Sequence, residues 1–327
     1  LPQKLQNREI RFIDAISEAI EISMKNHPNL VLMGQDIAEY GGAFKITEGF
    51  VEKFGKKRVR NTPLCEAAIV GSGLGLSING YKSMVEMQFA DFVTEGFNQI
   101  INNLAKTHYR WNQNADVVVR MPTGAGTGAG PFHSQSNEAW FTKTPGLKIA
   151  YPAFPDDAKG LLIQSFEDPN PVLFFEHKKL YRSLKGNVPE GFYTTPFGKA
   201  RKIKEGNDIT IITYGLGVHI ALEFAEKNPE ISLEIVDLRT LIPLDTETIY
   251  KSVKKCNKVI ILHEDTLTCG FGAELSALIS EHCFEDLDAP ILRVASMDTP
   301  IPFNKKLEDQ FMPNEELAEA VDKILKY

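Results

Sequence analysis

The chain has 327 residues, 43% of them apolar and 24% charged, with a formal net charge of −7. That length exceeds what one hydrophobic core usually organises, so two domains are expected. The acidic balance argues against nucleic acid or an anionic membrane as the main partner, and no apolar run reaches the roughly 18 residues that span a bilayer.

In chain order, helical and strand patterns alternate. FIDAISEAIEISMKN (12–26) carries apolar residues at three-to-four spacing, and LVLMG (30–34) follows as a short buried strand. NTPLCEAAIVGSGLGLSING (61–80) sets one carboxylate, Glu66, at the head of a small-residue and apolar helix pattern, and YKSMVEMQF (81–89) reads as a strand. The stretch 90–111 reads as one long amphipathic helix. ADVVVRM, LKIAYPA and PVLFFEH are three further strands, with a helix over 154–168 that Asp156 or Asp157 is placed to cap. Between about 183 and 200 two prolines and three glycines break all periodicity, which predicts a linker. Beyond it, strands ITIITYG, SLEIVDLR, KVIILHE and ILRVAS alternate with helices, and NEELAEAVDKILKY closes the chain. Apolar strands separated by helices predict an α/β fold, a largely parallel sheet covered on both faces.

Several motifs invite chemistry. GSGLG (71–75) superficially matches a dinucleotide fingerprint, but the sixth position is Leu76 and the glycines sit inside the helix pattern; close helix packing is the expectation. TGAGTGAGPFHSQ (123–135) has no lysine for a phosphate loop and no GxSxG elbow. It delivers His133, Ser134 and Gln135 just after a strand end, where open α/β sheets bind ligands; His133 reads as either structural or functional. His263-Glu264 lacks the second histidine of HExxH, since position 267 is Leu. The charge runs GKKR (55–58) and KSVKK (251–255) read as solvated surface. Cys65, Cys256, Cys269 and Cys283 form neither a CxxC pair nor a metal-ligand spacing, and read as reduced thiols of an intracellular protein. No signal-peptide pattern is visible, and a chain starting at Leu1 is expected to be trimmed or cut from a longer one. Glu66 allows three readings: a helix N-terminal charge, a buried ion pair, or a functional acid kept protonated by apolar neighbours.

At NTPLCEAAIVGSGLGLSING, EMQFADFV, HSQSNEAWFTKTPGLK, FEDPNPVLFFE, DLRTLIPLD and APILRV with DTPIP, the chain resembles, over essentially its whole length, the β subunit of thiamine-diphosphate-dependent 2-oxo acid dehydrogenases. The resemblance implies a pyrimidine-binding transketolase-like domain over 1–185, a linker over 186–200 and a transketolase C-terminal-like domain over 201–327. It implies oxidative decarboxylation of a 2-oxo acid and reductive acylation of a lipoyl group. Branched-chain substrates such as 2-oxoisovalerate are favoured, with pyruvate as the alternative.

By the same resemblance, Glu66 donates a proton to N1′ of the cofactor's aminopyrimidine, and Leu64 and Gln88 line that ring. Phe92 stacks on it, Phe89 borders the substrate, and His133 hydrogen-bonds the substrate and assists acyl transfer. Gln35 stands where the family carries a glutamate near the cofactor. Asp168 and Asn170, with carbonyls of Ala115, Val117, Val118 and Ser165, match a structural potassium site. The magnesium-binding GDG motif is absent from this sequence; in the family it lies on the α subunit. The resemblance therefore implies an α2β2 heterotetramer, or an α region of one fused chain, with the cofactor in the α–β cleft. The lipoylated acyltransferase core is the further partner, docked by the C-terminal domain, and the expected location is a bacterial cytoplasm or a mitochondrial matrix. A nicotinamide-dependent oxidoreductase and a non-catalytic scaffold are the rival readings.

Overall fold

The computed structural model describes residues 6–327; Leu1, on which the expectation of trimming rests, lies outside the described residues. Its strands in chain order are β1 (Asn7–Arg11), β2 (Leu30–Gly34), β3 (Val59–Asn61), β4 (Lys82–Glu86), β5 (Val117–Thr123), β6 (Lys148–Ala150), β7 (Val172–His177), β8 (Lys185–Pro189), β9 (Arg201–Lys204), β10 (Ile209–Thr213), β11 (Leu233–Asp237), β12 (Thr240–Ile242), β13 (Val259–Thr266) and β14 (Leu292–Ser296). They form a seven-stranded sheet in the order β12-β6-β7-β5-β4-β2-β3, a five-stranded sheet in the order β14-β13-β10-β11-β9, and the pair β1-β8.

Every pairing in the large sheet from β6 to β3 is parallel, as is β10 with β11 and with β13. Parallel strands need crossovers, and the helices between them cover both faces. That is why LVLMG and VLFFEH are buried along their whole length rather than on alternate residues. The helices Phe12–Asn26 and Pro155–Glu167 pack against each other on one face. The helix Glu66–Ile78 covers the other: a Cβ on its Gly73 would stand 3.1 Å from Ser83 and Val85, so the central glycine of GSGLG serves close packing, while Gly75 faces open space.

Four expectations are corrected. The predicted linker is not featureless from 186 onward, because Lys185–Pro189 pairs antiparallel with Asn7–Arg11. The long helix over 90–111 opens with a 3-10 turn at Ala90–Phe92 and carries a π-helical segment at Gln99–Leu104. Neither Asp156 nor Asp157 caps the helix that starts at Pro155; Asp157 instead binds Arg239 at 2.8 Å and Arg201 at 3.0 Å, tying the two halves of the chain together. Arg58 is not a solvated charge, since its guanidinium donates to the carbonyls of Met24, His27 and Leu30. One strand was not foreseen at all in its place: β12 leaves the C-terminal half to pair antiparallel with β6 at the rim of the large sheet.

Candidate active site

In a parallel sheet all strands discharge their chains at the same edge, so the segments that follow neighbouring strands gather there. After β2 comes Gln35, after β3 the turn that leads into Glu66, after β4 Gln88 and Phe89, and after β5 the glycine loop with His133. These strands are adjacent in the order β5-β4-β2-β3. Residues nearly a hundred positions apart in sequence are thereby brought to one rim.

At one end of this rim Glu66 opens its helix, 7% exposed, and the Gln35 side-chain amide donates to its Oε1 at 2.8 Å. The other polar atom of that amide, Gln35 Oε1, is buried without a hydrogen-bond partner. An orphaned acceptor next to a buried carboxyl is costly unless a bound group completes it. Leu64, two residues before Glu66, is 80% exposed, so the expected lining residue points into open space here.

At the other end the His133 ring lies edge-to-face against Phe89, with centroids 4.7 Å apart, and against Phe92 at 5.4 Å. Phe89 also meets Phe92 and Phe44 edge-on, at 6.0 and 5.4 Å. Such T-shaped contacts hold an imidazole in a fixed orientation while leaving its nitrogens free. Gln88, Phe89, Phe92 and His133 are all half-buried. Asp91, between the two phenylalanines, accepts from the Gln135 backbone at 3.1 Å and from its side chain at 2.9 Å. Asn137 donates to the Ala90 carbonyl at 3.0 Å. The FADF segment and the histidine loop are thus laced together.

Sequence reasoning missed the groups behind this rim. Arg120 is fully buried in β5, with Glu86 of β4 at 2.5 Å and Glu176 of β7 at 2.6 Å on either side. The carboxyl of Glu86 is raised, by burial first and against the pull of Arg120. His177, at the end of β7, meets Glu264 of β13 at 2.5 Å, and Glu264 also accepts from the Ala125 amide at 2.6 Å. Lys178, buried, donates to the Gly124 carbonyl at 2.7 Å; burial pulls its ammonium down to about 8. The signal was a histidine–glutamate pair and a lysine beside strand ends, but only the folded chain shows their partners.

The six residues expected around potassium do converge where β5 begins and the helix Pro155–Glu167 ends. The donor set does not fit a free cation site, however. Lys148 places its ammonium on Asp168 Oδ2, while Asp168 Oδ1 accepts from the Asn170 backbone and side chain, both at 2.9 Å. The Ala115 carbonyl accepts from Val117, and Val117 and Val118 belong to the strand ladder. The one carboxylate is already neutralised by a lysine, which a cation there would have to displace.

The model of the transketolase pyrimidine binding domain matches residues 8–183, and that of the transketolase C-terminal domain matches 198–317. The 2-oxoisovalerate dehydrogenase subunit beta of Bacillus subtilis (strain 168) is 48% identical over 314 residues, 94% of this chain and 96% of that protein. The pyruvate dehydrogenase E1 component subunit beta of the same organism is 40% identical over 326 residues, 98% of this chain and 99% of that one. Among solved structures, a split gene transketolase described as an inactive beta4 tetramer superposes with a TM-score of 0.76 at 23% identity, covering 97% of this chain and 98% of that one.

Proposed function

The chain belongs to the transketolase family, among the β subunits of 2-oxo acid dehydrogenases, and from that premise we propose that it is the thiamine-diphosphate-facing half of a branched-chain 2-oxo acid dehydrogenase. The observation that carries this reading is Glu66, buried at the head of a helix on the sheet's carboxyl edge and held by Gln35. Thiamine diphosphate supplies the electron sink for loss of CO₂ from a 2-oxo acid. Everything else is the task of residues of this chain and its partner.

Gln35 fixes one oxygen of Glu66 and leaves the second to exchange a proton with the aminopyrimidine. The unpartnered Gln35 Oε1 is an acceptor suited to an amino group of the same heterocycle. Phe92 offers a ring face for stacking, and Phe89 borders the 2-oxo acid. His133, steadied by both rings, hydrogen-bonds the substrate and passes a proton during acyl transfer to a lipoyl group. Gln88 adds a polar contact to the pyrimidine, and Leu64, exposed in this chain alone, is covered when the α subunit docks.

No GDG motif occurs in the sequence; in the family it lies on the α subunit. The magnesium that accompanies the diphosphate is accordingly assigned to the α subunit, and the active unit to an α2β2 assembly serving a lipoylated acyltransferase. Substrate class rests on the greater identity to the 2-oxoisovalerate relative, 48% against 40% for the pyruvate relative.

Co-expression with the α subunit, followed by assay with thiamine diphosphate and Mg²⁺, tests the assignment. The expected result is no decarboxylation by either chain alone and a kcat/KM at least ~10-fold higher for 2-oxoisovalerate than for pyruvate, the discrimination that a few methyl groups can supply. Preference for pyruvate would move the chain to the second reading. Activity of the isolated chain, or tight NADH binding by it, would defeat both.

A further inference from the structure

We propose that Glu308, on the short helix Lys305–Phe311 of the C-terminal half, is a positioning residue: its carboxylate fills an anion-binding nest in the glycine loop and thereby sets His133 against Phe89 and Phe92. The proposal rests on the reading of His133 as the acyl-transfer histidine.

The loop is unusual in its backbone. Gly124, Gly126, Gly128 and Gly130 alternate with other residues, and all four hold φ between +71° and +93°. Alternating left-handed residues turn successive N–H groups toward one side and create a concavity for an anion. Here the anion is supplied by the protein. The Gly126 amide donates to Glu308 Oε1 at 2.7 Å, and the Gly128 amide to both carboxylate oxygens, at 3.1 and 3.0 Å. Glu308 is 2% exposed, and charge-assisted bonds of this kind are stronger than neutral ones.

Glycines impose no conformation of their own and are costly to order. A run with four of them in eight residues cannot fix the side chain that follows unless something else does so. Two residues separate Gly130 from His133, and the His133 amide closes a turn onto the Gly130 carbonyl at 3.3 Å. Upstream, the loop is held by Glu264 at Ala125 and by Lys178 at Gly124. Downstream, the Phe303 ring closes over Gly130, where a Cβ would collide at 2.3 Å. Glu308 is the tie between these two fastenings. Its neighbourhood is also a cleft of about 310 Å³ lined by Pro131, Gln135 and Ser136 of the loop and by Glu264, Asp265 and Phe311 from the C-terminal half. Loss of the tie would let the loop relax into that space.

The test uses the full complex of this chain, its α subunit, thiamine diphosphate, Mg²⁺ and a lipoylated acyltransferase. Glu308→Ala should slow lipoyl acylation by about tenfold or more, because a histidine displaced by a fraction of an ångström forfeits that much orientation. Decarboxylation read with an artificial electron acceptor should fall by less than acylation, since the Glu66 end of the rim is untouched and His133 there only contacts the substrate. Added formate or acetate should restore acylation in the alanine variant by occupying the nest, without accelerating the parent complex. Glu308→Gln, which keeps only one accepting oxygen, should fall between the two, and serves alone if the alanine variant fails to assemble. Parent-level acylation in either variant overturns the proposal, as does an alanine variant that no carboxylate rescues. His133→Ala run in parallel separates the two readings. If that variant acylates normally, the assignment of His133 fails; if it is slow while Glu308→Ala is normal, only the positioning role fails.

Discussion

Glu66 and Gln35 are 31 positions apart and meet because β2 and β3 are parallel neighbours. The carboxylate in front of an apolar helix is visible in the sequence as an anomaly, while its partner is not, since adjacency of strands is a property of the folded sheet. Arg120 is a sharper case. VVVRM reads as a buried strand with one charge in it, and nothing local says that Glu86 and Glu176 wait on the two flanking strands. Two carboxylates around one guanidinium, with Tyr181 donating to Glu176 at 2.7 Å, are stable only as a set. Arg120→Met should therefore cost on the order of 3–5 kcal/mol, the usual penalty for stranding a buried charge. Urea denaturation measures it, and a loss below about 1 kcal/mol would mean that the glutamates are neutralised in another way. Leu64 and Gln88, by contrast, were named from resemblance, and the isolated chain leaves the first of them in solvent.

Among elements, those with strong periodicity were legible to within a residue: FIDAISEAIEISMKN and LVLMG fold over the spans predicted for them. The failures share a cause, which is that tertiary pairing overrode weak local signals. NREIR and KGNVP carry little apolar patterning, with Val188 the one fully buried residue between them, and they become strands because each completes the other. The cap expected from Asp157 is absent because two arginines of the C-terminal half compete for that carboxylate. Glycine patterning in the loop after β5 was conspicuous, but its purpose required the carboxylates opposite. Gly124→Ala tests that element. A Cβ there would stand 2.1 Å from His177 Nε2, on a backbone with φ +93°. Strain and displacement of His177 from Glu264 should cost roughly 2–4 kcal/mol in thermal or denaturant stability. A variant as stable as the parent would show that the loop has another low-energy path.

Across the whole molecule, alternation of apolar strands and helices was enough to read an α/β fold, and the transketolase-type match agrees with it. What sequence could not convey is how the halves are joined. β12 crosses to the large sheet, and between the halves lies a buried acidic group, Glu138, whose Oε1 accepts from the Tyr214 hydroxyl at 2.8 Å. Burial, with the charge of Asp265 nearby, pushes Glu138 up to about 8 from the ordinary 4.5. In that window the fold keeps a proton that the unfolded chain has released, so this group's contribution is full below about pH 4.5 and is lost as pH rises through 8. Glu138→Gln, which mimics the protonated form, should flatten the decline of stability between pH 5 and 8 relative to the parent by a few kcal/mol. Parallel stability–pH curves for the two proteins would show that Glu138 is ionised in the fold.

We propose that this chain is one half of an active centre and contributes to it the shielded carboxyl of Glu66. The most direct measurement is the decarboxylation rate of the reconstituted α–β complex carrying Glu66→Gln, saturated with thiamine diphosphate, Mg²⁺ and 2-oxo acid. The kcat should be lower by at least ~10², the contribution expected of a positioned proton donor, in an assembly that still forms and still binds the cofactor. A variant complex turning over at the parent rate would contradict it.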